Sequence, residues 1–364
     1  MASAKIQIIP TLIVGVGGTG CSIAKMVKRI VYEQVHPDDR RKVAMRFVGI
    51  DTDLVAKEGG DGMETLDAFI ELAGKAELSD HDEGDAATLL RSWMPKTRTG
   101  KPAIDPSHLA AGQGAGGKRL LGRFAYHYFA PFQFQALKNE IKELVALTDN
   151  PLEEWSGVEF ERLPQIEIFV IGSFAGGTGS GTFLDAVATC HMLCDQSAPG
   201  FRRAIHGVFV LPQAFENVAH VTNRPINRAT AYACLKDLEL LLNTNDPEIR
   251  RFSYHTEGEY SVEGPFLDNV YLIDSHGKFG SMDNVELFRM IATNVYGMIG
   301  TPMGRSHRST ENNAGMIGQP DPAGGKRHFS TFGLCGIDYD LESMHARFSA
   351  MVGTRLVDSL LGAP

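Results

Sequence analysis

Two apolar runs, each ending in a cluster of glycines, organise the first half of the chain. "PTLIVGV" is apolar at nearly every position, "GGTG" follows, and "CSIAKMVKRIVYEQV" then spaces its apolar residues three and four apart. An unbroken apolar run fits a strand buried on both faces, and the spacing after it fits a helix with one apolar side. With "MRFVGIDTD" next, the pattern predicts a βαβ unit on a parallel sheet. The same order returns in "IEIFVI", "GSFAGGTGSGT" and "FLDAVATCHML", and "RRAIHGVFVLPQAF" reads as the next strand.

A helix is expected over about 226–243, where "NRATAYACLKDLELLLN" carries helical spacing. The texture then changes. "RFSYHTEGEYSVEGPFLDNVYLIDSHG" reads as short strands and turns, a hairpin-like insertion over 246–280. "NVELFRMIATNVYGMIG" is helical, "HFSTFGLCGIDYD" a strand and "ESMHARFSAMVGTRLVDSLL" a final helix. Residues 54–110 read as loops and short helices, and 301–328 as a surface loop rich in Gly, Pro, Asn and His. The expected organisation is a nucleotide-binding α/β domain over 1–245, the insertion, and a partial second domain over 281–364.

Composition narrows the class. The chain has 364 residues, enough for one large or two medium domains, with a net charge of -9. That balance argues against a general nucleic-acid coat, so no nucleic-acid partner is expected. Five cysteines are an odd number in apolar helical settings and read as free thiols of a reducing compartment. Cys190 and Cys194, with His191 between them, fit core packing better than a metal site. No apolar stretch reaches the ~18 residues of a membrane span, and the N-terminus reads as a strand. The expected location is the cytoplasm.

The chemistry lies in three glycine loops: "GVGGTG" (Gly15, Gly17, Gly18, Thr19, Gly20), "GQGAGGKR" (with Gly114, Ala115, Gly116, Gly117, Lys118) and "AGGTGSGT" (Ala175, Gly176, Gly177, Thr178, Gly179, Ser180). Glycines let backbone N–H groups approach an anion, and a helix start adds unpaired donors and partial positive charge. No lysine follows as in a P-loop, so the charge facing a polyphosphate would be distributed over backbone and hydroxyls, Thr182 included. Lys118, Arg119 and Arg123 are candidates to add charge. Gly15, Gly17 and Gly20 also satisfy G-x-G-x-x-G, but Asp51 comes later than the ~20 residues that a dinucleotide site wants.

In this order the pieces resemble the tubulin/FtsZ superfamily, in particular divergent bacterial tubulin-like proteins. "AGGTGSG" is similar to the family's G-G-G-T-G-[ST]-G loop, with Ala175 at its first glycine. "GIDTD" (Asp51, Thr52, Asp53) resembles the FtsZ "NTD" segment, and "GAGGKRLLGR" the FtsZ loop that reaches the terminal phosphate. "VLPQAFEN" resembles the ribose-side loop, putting Pro212 and Glu216 beside the sugar. "PINRATAYACLKDLE" resembles the start of the long central helix, with Asn227 as base reader and Thr230 or Asn223 as alternatives. The resemblance implies a Rossmann-like GTPase domain, GTP/GDP with Mg2+ (Asp53 or Asp51 beside it, Cys21 near the first loop), and head-to-tail protofilaments of the chain with itself.

It also implies that a neighbouring subunit completes hydrolysis with an acid loop, N-x-D-x-x-[DE]. Asp283 and Glu286 in "SMDNVEL" have the spacing, with Ser281 in place of the asparagine, and Asp268 is the fallback. The same spacing fits simple helix capping. Because the chain stops soon after "STFGLCGIDYD", the second domain is reduced or the chain is a fragment. Three functions stay open: a polymerising GTPase, a GTP-binding scaffold that does not polymerise, and an NAD-dependent Rossmann oxidoreductase.

Overall fold

The structure, a computed structural model, describes residues 6–58, 64–74, 98, 112, 114–147, 154–155, 158–162, 164–216, 224–254, 258–277, 280–300, 329–333 and 347–355. The strands are β1 (Ile6–Ile8), β2 (Thr11–Val16), β3 (Met45–Asp51), β4 (Ala68–Glu71), β5 (Glu154–Trp155), β6 (Val158–Arg162), β7 (Gln165–Ser173), β8 (Arg202–Val210), β9 (Arg251–Tyr254), β10 (Gly258–Ser261), β11 (Asn269–Ile273), β12 (His276–Gly277), β13 (Gly280–Ser281) and β14 (Phe329–Ser330). The longer α-helices are α1 (Gly17–Glu33), α2 (Arg119–Phe129), α3 (Phe134–Leu147), α4 (Gly177–Ser197), α5 (Arg224–Asn243) and α6 (Asn284–Gly300).

Seven strands form one sheet in the order β14-β11-β8-β7-β2-β3-β4, and every pairing in it is parallel. Its central strands are apolar at consecutive positions because both faces are covered. Successive side chains point to opposite sides. Leu12, Val14, Val48, Ile168 and Val170 join the core built with α2, α3, α4 and α5. Ile13, Phe47, Phe169 and Ile171 join the core built with Ile23, Ala24, Val27 and Val31 of α1 and Leu287, Ile291 and Val295 of α6.

The strand order decides where a ligand site lies. From β2 the chain moves outward through β3 and β4, then returns to β7 on the other side of β2 and moves outward through β8 and β11. The order reverses between β2 and β7, and in open parallel sheets ligands bind beyond the strand C-termini at that reversal. Both strands lead there into glycine loops and helices.

One expectation is overturned. The stretch over 246–280 is not a separate insertion. Residues 251–261 do form an antiparallel hairpin, β9 with β10, but β11 pairs with β8 from Asn269↔His206 to Ile273↔Val210. The main sheet therefore runs on past 245, and the compact unit extends over Met1–Phe332. Arg250 fastens the hairpin by donating to the carbonyls of Leu241 at the end of α5 and Gly264. A small sheet of β1, β6 and β5 is a further element the sequence patterns did not suggest. The second unit is Gly333–Pro364, in which residues 347–355 are helical.

Candidate functional site

At the reversal, three helices begin without a side-chain cap. The N-cap residues Val16 of α1, Lys118 of α2 and Gly176 of α4 make no side-chain capping bond, and none of the first turns contains an acid. The first-turn N–H groups of a helix lack intrahelical acceptors and would normally find side chains or water. Here they share one edge of the sheet, and their partial positive charges add.

Close backbone packing brings these starts together. Gly17 takes φ +71, and a Cβ on it would lie 2.9 Å from the Gly179 amide nitrogen. Gly20 abuts the Ile171 carbonyl and Gly15 the Gly20 carbonyl, so neither has room for a side chain. A Cβ on Gly177 would lie 2.7 Å from the Lys118 amide and 2.9 Å from the Ala115 methyl, and one on Gly179 would lie 2.6 Å from the Ser173 carbonyl oxygen. By contrast, Gly116, Gly117 and Gly176 face open space. The packed glycines build the cradle, and the open ones line its mouth.

The end of β3 supplies the other wall. Thr52 and Thr178 share a hydroxyl–hydroxyl hydrogen bond of 2.6 Å, and the Gly114 amide donates to the Thr52 carbonyl at 3.3 Å. Asp51 is only 2% exposed. Its Oδ1 accepts from the Thr52 and Asp53 amides at 2.7 and 3.3 Å. Its Oδ2 is buried, makes no hydrogen bond of good geometry among the described residues, and lies 3.7 Å from where a Gly18 side chain would begin. Burial pushes the Asp51 carboxyl up to about 6, against the Thr178 hydroxyl and the two amides, which favour the anion. Asp53 instead accepts the Val55 amide at 3.0 Å and caps the short 3-10 helix Leu54–Lys57. Both carboxylates keep Oδ2 as an oxygen that could face a divalent cation, buried on Asp51 and at the surface of the loop on Asp53.

Several expected ligands have other partners. Ser180 and Thr182 donate their hydroxyl protons back to the Gly176 and Thr178 carbonyls within α4. Arg119 donates to the Ser180 carbonyl at 3.0 Å and to Asp237 at 2.6 Å, and Arg123 faces Asp185 at 3.8 Å. These arginines hold helices together rather than facing the loop mouth. Lys118 is exposed beside the open glycines, as are Gly18 and, in part, Thr19. Ala175 is 8% exposed and its amide donates to the Ser173 hydroxyl at 3.1 Å, so its methyl is accommodated where the family keeps glycine. Cys21 is buried and its thiol contacts the Gly15 carbonyl, a packing role.

Of the residues expected beside a sugar and base, Pro212 opens a 3-10 turn, and Glu216 at its end pairs with Arg228 of α5 at 2.6 Å. Asn227 is half-buried near the start of α5, and Asn223 lies outside the described residues. Lys25 carried no sequence signal. It sits on the buried face of α1 and donates to the Ala56 and Glu58 carbonyls at 2.6 Å each, fixing the loop after β3.

Asp283 and Glu286, the expected acid-loop pair, bond to each other's backbone. The Glu286 amide donates to Asp283 Oδ1 at 2.8 Å and the Asp283 amide to Glu286 Oε2 at 3.3 Å. That reciprocity is a capping box on α6. The Met282 amide donates to the Ser275 carbonyl at 2.9 Å, two residues past the end of β11, so both acids sit on the same sheet edge as the glycine loops. A head-to-tail neighbour would meet this edge with its opposite one. Asp268, at the start of β11, does lie at the opposite edge, where its carboxylate accepts the Ile205 amide at 2.7 Å.

Among the described residues no group of histidine, cysteine or acid side chains could hold a metal on its own, and no helix is long and apolar enough to cross a membrane. Cys21, Cys190, Cys194 and Cys234 are free and buried, and Cys335 lies outside the described residues.

A family model described as "Tubulin like" matches residues 12–358, a span that holds all three glycine loops. The chain belongs to this tubulin-like family. Solved structures similar to this tubulin-like chain include CetZ2 from Haloferax volcanii, as a GTPgS-bound protofilament, at 15% identity and TM-score 0.41, covering 84% of this chain and 64% of that one. FtsZ of M. jannaschii, as an empty dimer, is 15% identical with TM-score 0.42, covering 84% and 61%. TubZ of Clostridium botulinum phage c-st is 13% identical with TM-score 0.39, covering 79% and 60%. The chain thus spans less than two thirds of the length of these structures. No curated protein sequence matches it.

Proposed function

We propose that this tubulin-like protein binds GTP with Mg2+ at the β2–β7 edge and assembles head-to-tail through that edge. The observation that carries the reading is the convergence of three uncapped helix starts on glycine loops at the sheet reversal. Backbone amides of Gly18, Thr19, Gly176 and Gly177 would take the phosphates, with Lys118 adding charge at the outer end. Mg2+ would supply charge neutralisation for phosphoryl transfer, held from the protein side by Asp51 Oδ2. Pro212, Glu216 and Asn227 would border the sugar and base.

Self-assembly is supported by apolar side chains at the turns of this edge. Val55 is 72% exposed, Phe132 64%, Ile226 55% and Val285 56%. Ringing a ligand site, they suit contact with another copy that covers the nucleotide. Hydrolysis would then use an acid from the neighbour's opposite edge, and Asp268 would be that acid. Phosphoryl transfer needs a placed water and neutralised charge more than covalent help.

The capping-box role of Asp283 and Glu286 favours a second reading, a GTP-binding scaffold with no hydrolytic acid. One experiment separates them: incubate the protein with GTP, GDP, ATP or NAD in Mg2+ and follow binding, pelleting and phosphate release. GTP-dependent pelleting with turnover supports the first reading, GTP binding alone the second, and NAD binding without GTP binding sinks both.

A further inference from the structure

Arg119 has no role in the nucleotide contacts proposed above, yet its position is unusual. It is the first residue of α2, directly after the open glycines Gly116 and Gly117. Its guanidinium joins two other helices: Nε donates to the Ser180 carbonyl in the first turn of α4, and Nη2 donates to Asp237 on α5. The buried Cys234 thiol of α5 also contacts the Ser180 carbonyl, at 3.5 Å. Backbone packing makes the α2 and α4 starts one body, because Gly122 abuts the Gly177 carbonyl and Gly181 abuts the Arg119 carbonyl. Displacing the 114–118 loop therefore moves the Arg119 end of a link whose other end is α5.

On the opposite side, α5 exposes Ile226, Tyr232 and Leu240, while Ala231, Cys234, Leu238 and Leu241 face the core. We propose that Arg119 is a positioning residue that couples the 114–118 loop to α5, so that α5 responds to the nucleotide bound at the loops. This rests on the nucleotide reading above. Coupling of this kind is reciprocal: whatever favours one placement of α5 favours the nucleotide state that goes with it.

Hydrogen exchange read by mass spectrometry, with GDP and with a non-hydrolysable GTP analogue, tests it in the full chain. In the parent, the analogue is expected to slow exchange in 114–122, 175–182 and 224–243 relative to GDP. In Arg119→Ala the loops keep their slowing while the α5 difference falls by about fivefold. Asp237→Asn, which leaves Arg119 bonded to α4, should reproduce the loss in α5. A merely structural arginine would change exchange equally with either nucleotide. The proposal is overturned if α5 responds fully in both variants, or if α5 ignores nucleotide in the parent while the loops respond. If neither loops nor α5 respond in the parent, the nucleotide reading itself fails and takes this one with it.

Discussion

The Thr52 and Thr178 hydroxyl oxygens lie 2.6 Å apart, in the buried seam between the end of β3 and the first turn of α4. Thr178→Val keeps the shape of that seam and leaves the fully buried Thr52 hydroxyl without this partner. The unfolding free energy is expected to fall by about 1–2 kcal/mol. Urea unfolding measures it, and an unchanged midpoint would show that the bond contributes nothing. GTP affinity should fall with it, because the seam sets the spacing of two loops of the proposed site.

Asp51 gives the fold a pH dependence of defined sign. Its carboxyl is pushed up to about 6 from 3.8 by burial, so the fold favours the protonated form. That contribution is complete below the lower value and is lost as pH rises through the upper one. Asp51→Asn stays neutral throughout. It should be more stable than the parent above about pH 6, by roughly 1–3 kcal/mol, with the gap closing towards pH 4. Denaturation curves at three pH values decide this. A bound polyphosphate would oppose the anion further, so GTP binding by the parent should need Mg2+ more than binding by Asp51→Asn does.

The glycines divide into two kinds with opposite signatures. A methyl on Gly122 would collide with the Gly177 carbonyl, so Gly122→Ala should cost about 1–3 kcal/mol of stability. Gly176 has φ -84 and ψ 159, which alanine adopts readily, and it faces open space. Gly176→Ala should fold like the parent yet bind GTP at least tenfold more weakly, because the methyl enters the phosphate cradle. Thermal unfolding and nucleotide titration of the pair separate cradle from scaffold, and normal GTP binding by Gly176→Ala would remove this loop from the site.

How much of this was legible in the sequence depends on the range of each interaction. The β2–α1, β3 and β7–α4 units could be read because unbroken apolar runs bounded by glycines leave little choice of structure. α5 spans Arg224–Asn243, a stretch whose apolar residues carry helical spacing. β11 is hidden in its sequence context because "NVYLI" is short and sits among turn residues, and only its pairing with β8 shows that it belongs to the sheet. Asp283 and Glu286 carry a spacing that serves a capping box or an acid loop equally. Which edge they occupy is a tertiary fact. Arg119 and Arg123 lie beside glycines in sequence, where a phosphate ligand would lie, but Asp237 and Asp185 draw them away.

The two sets of acids should behave differently. Asp283→Ala with Glu286→Ala removes the cap of α6 and should lower stability by about 1–2 kcal/mol, leaving phosphate release per assembled subunit unchanged. Asp268→Asn retains an acceptor for the Ile205 amide. It should keep GTP binding and assembly while slowing phosphate release by tenfold or more. Turnover lost in the double variant and kept in Asp268→Asn would restore the acid-loop role to Asp283 and Glu286.

The most direct test of the central claim is equilibrium binding of GTP to the purified full chain in Mg2+, with GDP, ATP and NAD as competitors. Saturable binding of GTP that GDP displaces, that NAD leaves untouched and that Gly176→Ala weakens is the predicted result. No GTP binding by a folded parent protein, or displacement of GTP by NAD, would contradict the account.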